Sequence, residues 1–170
     1  NASAPDERPL NMTALARSLW PEGFNESWRF VQGPENHDIV YRGREQRIAR
    51  LGDPDHPRSW FARSRARVAT GLSFTAPGIP MLFMGQEFLE DKQWADDFVT
   101  HRELLLHWAG LDQGDRQMID HLRFTRELLH LRRRSPALRG QGFRVAHVHD
   151  QNRVLTFHRW VEGEGHDLLV

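Results

Sequence analysis

Glu35-Asn36-His37-Asp38 and Gly85-Gln86-Glu87-Phe88 are two places where acidic side chains directly follow a run of strand-forming residues. An imidazole beside a carboxylate donates hydrogen bonds to a ligand hydroxyl and accepts others, and an ionised carboxylate stabilises positive charge that develops in a transition state. His37 and Asp38 supply such a pair, and Glu87 supplies a further carboxylate. The competing reading is local. Asn36 and Asp38 are turn formers whose side chains bond their own backbone, and Glu87 suits a loop or the first turn of a helix. Trp94, with Asp96 and Asp97 close by, either offers a flat wall for a sugar ring or packs back on its own domain.

Two strands must position these clusters. Residues 28–32 alternate, carry aromatic and β-branched side chains, and stop at Gly33-Pro34. Residues 79–84 are apolar on both faces between Pro77-Gly78 and Gly85, the pattern of a strand covered on both sides in a parallel sheet. Loops after parallel strands share one rim, where β/α proteins build their active sites. Asp38 and Glu87 are therefore expected to face a common cleft.

Three helices are predicted around them. Residues 12–20 start at the cap Asn11 and close at Pro21, with Met12, Leu15 and Leu19 on one face. Residues 59–73 start at Ser59, with Phe61, Val68 and Leu72 inward and Arg63, Arg65 and Arg67 elsewhere. Residues 115–134 carry a stripe of Met118, Ile119, Leu122, Leu128, Leu129 and Leu131, and end in Arg132-Arg133-Arg134, read as a solvated helix end. The second helix should lie outside the sheet, with the third in the same layer. Residues 35–57 and 86–100 read as polar connections. From residue 143 the alternation of two runs about Asp150-Gln151-Asn152 predicts an antiparallel meander in a different sheet. The fold class is α/β followed by all-β, divided at 1–139 and 140–170. The parallel strands need partners that this chain does not supply, so the expectation is a fragment of a larger protein.

Composition removes other classes. The 170 residues include 23 basic and 23 acidic groups, and Lys92 is the single lysine, so the balance of a polyanion binder is missing and nucleic acid is not an expected partner. No apolar run reaches the ~20 residues of a membrane helix, and residues 1–9 lack the basic-then-apolar order of a signal peptide, so no membrane is expected. The absence of Cys excludes a disulfide framework and favours, without requiring, the cytoplasm. No His-Glu-x-x-His, phosphate-cradling Gly-rich loop or EF-hand spacing occurs, and His147-x-His149 lacks a third ligand, so no metal and no cofactor are expected. Asn1, Asn11 and Asn25 head formal glycosylation sequons. Ten Phe and six Trp serve either a core or stacking on sugars.

Over roughly residues 28–170 the sequence resembles the alpha-amylase superfamily, glycoside hydrolase family 13. Glu35-Asn36-His37-Asp38 looks like its motif after the seventh barrel strand, and Ala76-Pro77-Gly78-Ile79-Pro80-Met81-Leu82-Phe83-Met84-Gly85-Gln86-Glu87-Phe88 looks like its eighth. Phe88-Leu89-Glu90-Asp91 and the run from Val148 to Trp160 look most like the bacterial glucan branching enzymes within it. The resemblance implies the C-terminal third of a (β/α)8 barrel, strands seven and eight with their helices, running into an antiparallel C-terminal β-sandwich. It implies an α-glucan substrate, Asp38 as the carboxylate that stabilises the oxocarbenium-like transition state, and His37, Asn36, Glu87 and Trp94 as substrate-binding residues. The nucleophile and general acid of the family come from strands that this sequence does not contain, so the chain alone is expected to be inactive, with the remainder of the barrel as its partner. Branching enzymes often carry Ser where Asn36 stands and amylases often carry Asn, which leaves transfer and hydrolysis both open. A non-catalytic carbohydrate-binding module is the reading from another class.

Overall fold

Asn11 opens the first helix as the sequence requires: its side-chain oxygen accepts from the Ala14 N–H at 2.8 Å, and α1 (Met12–Ser18) buries Met12 and Ala16. The computed structural model describes residues 9–170, so the sequon at Asn1 and nearly all of the polar leader fall outside the described residues.

The strand expected over 28–32 is shorter. Ser27–Arg29 form a 3-10 turn with Trp28 exposed, and β1 is Val31–Gln32. It pairs in parallel with β2 (Ile79–Pro80), in the register Val31↔Ile79 and Gln32↔Pro80. Ile79 donates to the Phe30 carbonyl at 2.9 Å and Met81 to that of Gln32 at 2.7 Å, while Pro80 has no N–H to give. A ladder extends only where partners exist, and each strand here has one. The run 79–84 is likewise shorter as a strand, and its coverage on both faces is corrected: Ile79 is 46% and Met84 43% exposed, because no second layer among the described residues reaches them.

The stretch read as a polar connection contains α2 (Ile48–Gly52), a single turn held by packing rather than propensity. Ile48 and Ala49 bury against Ala66 and Leu89. Gly52 allows this approach, since a Cβ there would stand 2.9 Å from Ala62 Cα. In α3 (Trp60–Thr75) Ser59 caps through the Ala62 N–H as expected, but the buried face is Ala62, Ala66, Thr70 and Phe74. Phe61 and Val68, read as the inward stripe, are 50% and 72% exposed. Small side chains win the interior because α2 and α5 pack against this helix, and only alanines let the backbones come close.

After the short α4 (Trp108–Asp112), Asp115 caps α5 (Arg116–Arg134) by accepting from Gln117 and Met118 N–H groups. The buried residues of α5 are Met118, His121 and Thr125, whereas Ile119, Leu129 and Leu131 are exposed. The seam of α5 is thus more polar than the apolar stripe predicted. The helix ends at Ser135 as expected, then α6 (Pro136–Arg139) restarts with Pro at its first position.

The C-terminal meander forms as read. β3 (Gly142–His149), β4 (Val154–Trp160) and β5 (Leu168–Leu169) make an antiparallel sheet in the order β3-β4-β5, separate from the β1–β2 pair. Between Val145 and His147 the register shifts, a bulge at Ala146.

Two arginines tie separate segments together. Arg159, fully buried on β4, donates to the carbonyls of Gly142, Thr75, Leu138 and Gly140. Arg132 donates to those of Phe74, Ala76 and Gly78, so at the helix end read as solvated Arg133 and Arg134 are exposed while Arg132 clamps the segment between α3 and β2. Burial, and the neighbouring Arg132, push the Arg159 guanidinium down to about 10.

Candidate functional site

The parallel register sends the chain out of β1 and β2 at the same end, so the loops after them are neighbours. In the first loop Asn36 makes the turn. Its side-chain oxygen accepts from the N–H groups of Asp38 at 2.9 Å and Ile39 at 2.8 Å, the local use that turn chemistry predicts. That turn lifts His37 and Asp38 into solvent, 65% and 73% exposed, with His37 Nε2 3.4 Å from Asp38 Oδ2. Arg44 donates to the Asp38 carbonyl at 3.0 Å and steadies its backbone.

Glu35 points the other way. It is 2% exposed, its Oε1 accepts from the Ile48 N–H at 2.7 Å, and its Oε2 lies 2.9 Å from Nε of the fully buried Arg47. Burial pushes the Glu35 carboxyl above its ordinary value, and the Arg47 charge opposes that rise. Arg47 in turn donates to the Met84 carbonyl at 2.9 Å, which fastens the first loop to the second.

The second loop turns at Gly85, with φ at +85°, into the 3-10 turn Gln86–Phe88. Glu90, 2% exposed, organises the chain beyond that turn by accepting from the N–H groups of Asp91, Lys92 and His107. Asp91 is held by Arg50 and Arg58, and Arg58 also reaches Asp115 at the start of α5.

Trp94 closes the arrangement. Its indole N–H donates to the His37 carbonyl at 2.7 Å, its backbone N–H to the Val40 carbonyl, and its own carbonyl accepts from Arg42. Around the indole stand His37, Tyr41 and Phe83, with ring centroids 6.3, 5.5 and 5.9 Å away. Tyr41 donates its hydroxyl to Asp96 at 2.9 Å, which raises the phenol above its ordinary value. His37, Asp38 and Trp94 are thus brought together, and Asn36 shapes the turn beneath them. Glu87 sits half-buried in the 3-10 turn of the second loop, and among the described residues no hydrogen bond or ion pair joins it to that cluster.

Sequence reasoning misses the supports. Glu35 reads only as one member of the cluster Glu35 to Asp38, Glu90 enters only within the run Phe88 to Asp91, and nothing in the motifs singles out Arg47 or Arg58. A lone arginine immediately before an apolar pair, as in Arg47-Ile48-Ala49, is the available signal. Among the described residues no cluster of three or more His, Asp or Glu is arranged to hold a metal ion, and no helix is long and apolar enough to cross a membrane.

Together the two loops present a carboxylate and an imidazole, fixed from below, beside an aromatic wall. Such groups can hydrogen-bond a ligand's hydroxyls and stabilise a positive charge placed beside them.

No family model matches the chain. It is 33% identical over 144 residues to the 1,4-alpha-glucan branching enzyme GlgB of Paramagnetospirillum magneticum, a match covering 81% of this chain and 18% of that protein. The branching enzymes GlgB of Cellvibrio japonicus and Rhizobium meliloti are 30% and 31% identical, over 78% and 77% of this chain and 17% of each relative. The chain therefore spans about a fifth of the length of the curated relatives it matches. In fold it is similar to the crystal structure of an alpha-amylase from H. orenii, with a TM-score of 0.56 and 21% identity over 82% of this chain and 28% of that one.

Proposed function

We propose that this chain, a relative of the 1,4-alpha-glucan branching enzymes with an amylase-type α/β fold, supplies one side of the active site of a glucan branching enzyme. Residues 1–139 belong to the catalytic (β/α)8 barrel, with β1 and β2 as its seventh and eighth strands, and residues 140–170 begin a C-terminal β-sandwich. The observation that carries the reading is the parallel pair β1–β2, whose two following loops converge on His37, Asp38 and Trp94.

The reaction runs by double displacement. A carboxylate outside this sequence attacks C1 of the donor sugar, and the departing 4-oxygen takes a proton from a second carboxyl about 5 Å away. A 6-hydroxyl of an acceptor chain then displaces the enzyme carboxylate from C1, returning its proton to the base, and an α-1,6 bond replaces the α-1,4 bond. In both displacements the ring becomes cationic. Asp38 stabilises that charge, His37 hydrogen-bonds the same sugar, and Asn36, Glu87 and Trp94 shape the pocket that receives it. The full protein acts on an α-glucan and needs no cofactor.

Hydrolysis is the second reading, favoured by Asn at position 36, and it differs only in that water takes the acceptor's place. The test is Asp38→Asn in the full-length protein, assayed on amylose by iodine spectrum, new α-1,6 linkages and reducing ends. Loss of about a hundredfold in kcat with little change in KM is expected. Near wild-type kcat overturns the role of Asp38, and reducing ends without new branches select hydrolysis.

A further inference from the structure

Beneath the exposed turn lies a partly open cavity of about 10 Å³ whose polar lining includes Thr70 and Glu90, the latter already accepting from three backbone N–H groups. Three further polar residues line it, Glu35 from the first loop, Gln86 from the second and His121 from α5, with exposures of 2%, 5% and 2%. Each carries a buried polar atom with no hydrogen-bond partner among the described residues: Glu35 Oε2, Gln86 Nε2 and His121 Nδ1. Glu35 Oε2 is in ionic contact with Arg47, but the Arg47 Nε–H is not aligned to donate to it. Buried polar groups left unmatched are costly, and a space of ~10–15 Å³ with about three polar partners holds one water molecule.

The donors and acceptors match. Gln86 Oε1 accepts from the Phe83 N–H at 3.2 Å, so the amide's NH2 end is the one left for the cavity. A carboxylate oxygen can only accept. The imidazole is neutral, its pKa pushed down to about 4 by burial and then by Arg67, so Nδ1 is free to accept when Nε2 carries the proton. A water that accepts from Gln86 and donates to Glu35 and His121 uses all three. A cation does not suit the site, because the Gln86 amide presents hydrogens to it and Arg47 lies beside Glu35.

We propose that Glu35, Gln86 and His121 hold one structural water, and that through it His121 positions the carboxylate from which the His37–Asp38 turn hangs. His121 is thus a positioning residue on α5, remote in sequence from both loops. The positioning role rests on the functional reading above, whereas the water does not.

The test uses the full-length protein. A high-resolution crystal structure should show one density peak within hydrogen-bond distance of Glu35 Oε2, Gln86 Nε2 and His121 Nδ1, and nitrogen NMR should find His121 neutral with Nδ1 unprotonated. An empty cavity, direct contact of Gln86 with His121, or a protonated Nδ1 overturns the water. His121→Asn keeps an acceptor near the Nδ1 position and His121→Leu removes it. Glucan kcat should fall about tenfold in H121L with KM little changed, and return to within about twofold of wild type in H121N. Equal effects of the two variants overturn the positioning role. Because the density and the spectra involve no glucan, an observed water in a protein that does not act on glucan would refute the functional reading alone.

Discussion

Trp94 donates its indole N–H to the backbone carbonyl of His37 at 2.7 Å across 57 positions of sequence. With the Asn36 side chain and Arg44, this bond holds the exposed turn by its backbone and leaves the His37 imidazole and Asp38 carboxylate facing solvent. The tryptophan read as a possible sugar wall therefore has a second use, in which its polar edge holds the turn while its rings pack on Tyr41 and Phe83.

Trp94→Phe keeps much of that packing and removes the donor. A lost hydrogen bond of this kind is worth about 1 kcal/mol, so stability should fall by about that amount in denaturant titration. Glucan turnover by the full-length protein should fall further than stability predicts, because the His37 carbonyl then lets the turn move. Unchanged kcat would show that the turn is held by Asn36 and Arg44 alone.

Glu35→Gln preserves the acceptor for the Ile48 N–H and deletes the charge opposite Arg47. A guanidinium with no exposed surface is then left without a counter-charge, which typically costs ~3 kcal/mol or more. Equilibrium unfolding should register that loss. A joint Glu35→Gln, Arg47→Met change should recover part of it, since no uncompensated buried charge remains.

His121 predicts a pH dependence of stability. Its pKa is lowered from 6.5 to about 4 in the folded protein, so between those values the unfolded chain binds a proton that the folded one does not. Stability is therefore full above pH ~6.5 and declines as pH falls toward ~4, by at most about 3 kcal/mol from this group. Glu35, raised by burial, contributes the opposite slope, falling as pH rises through its own titration. The measurement is the difference between wild type and His121→Asn in unfolding free energy from pH 4 to 7. A parallel pair of curves would refute the assignment.

Arg159→Lys tests the junction between the meander and the helices. The guanidinium reaches four carbonyls, on Gly142, Thr75, Leu138 and Gly140, and an ammonium cannot span them. A loss of about 3 kcal/mol is expected, with hydrogen exchange accelerating first in β3 and β4.

The local signals in the sequence are strong where one residue type answers one backbone need. Asn11, Ser59 and Asp115 each cap the helix they precede, Gly85 takes the left-handed turn after β2, and the hairpin about Asp150 to Asn152 joins two strands of matching alternation. The parallel pairing of β1 and β2 and the separate sheet after residue 142 are also legible, because strand, helix, strand order leaves few alternatives. The sequence puts His37, Asp38 and Trp94 on loops, but periodicity cannot say which side of a helix meets a neighbour. Phe61 and Val68 have the larger hydrophobicity, yet Ala62 and Ala66 are buried, because close approach of α2 and α5 rewards small volume over transfer free energy. The roles of Glu35, Arg47, Arg132 and Arg159 are invisible in the sequence for a related reason. Their partners are backbone carbonyls and charges that sequence separation hides, and burial turns an ordinary polar residue into a fixed contact only once the chain has brought those groups within reach.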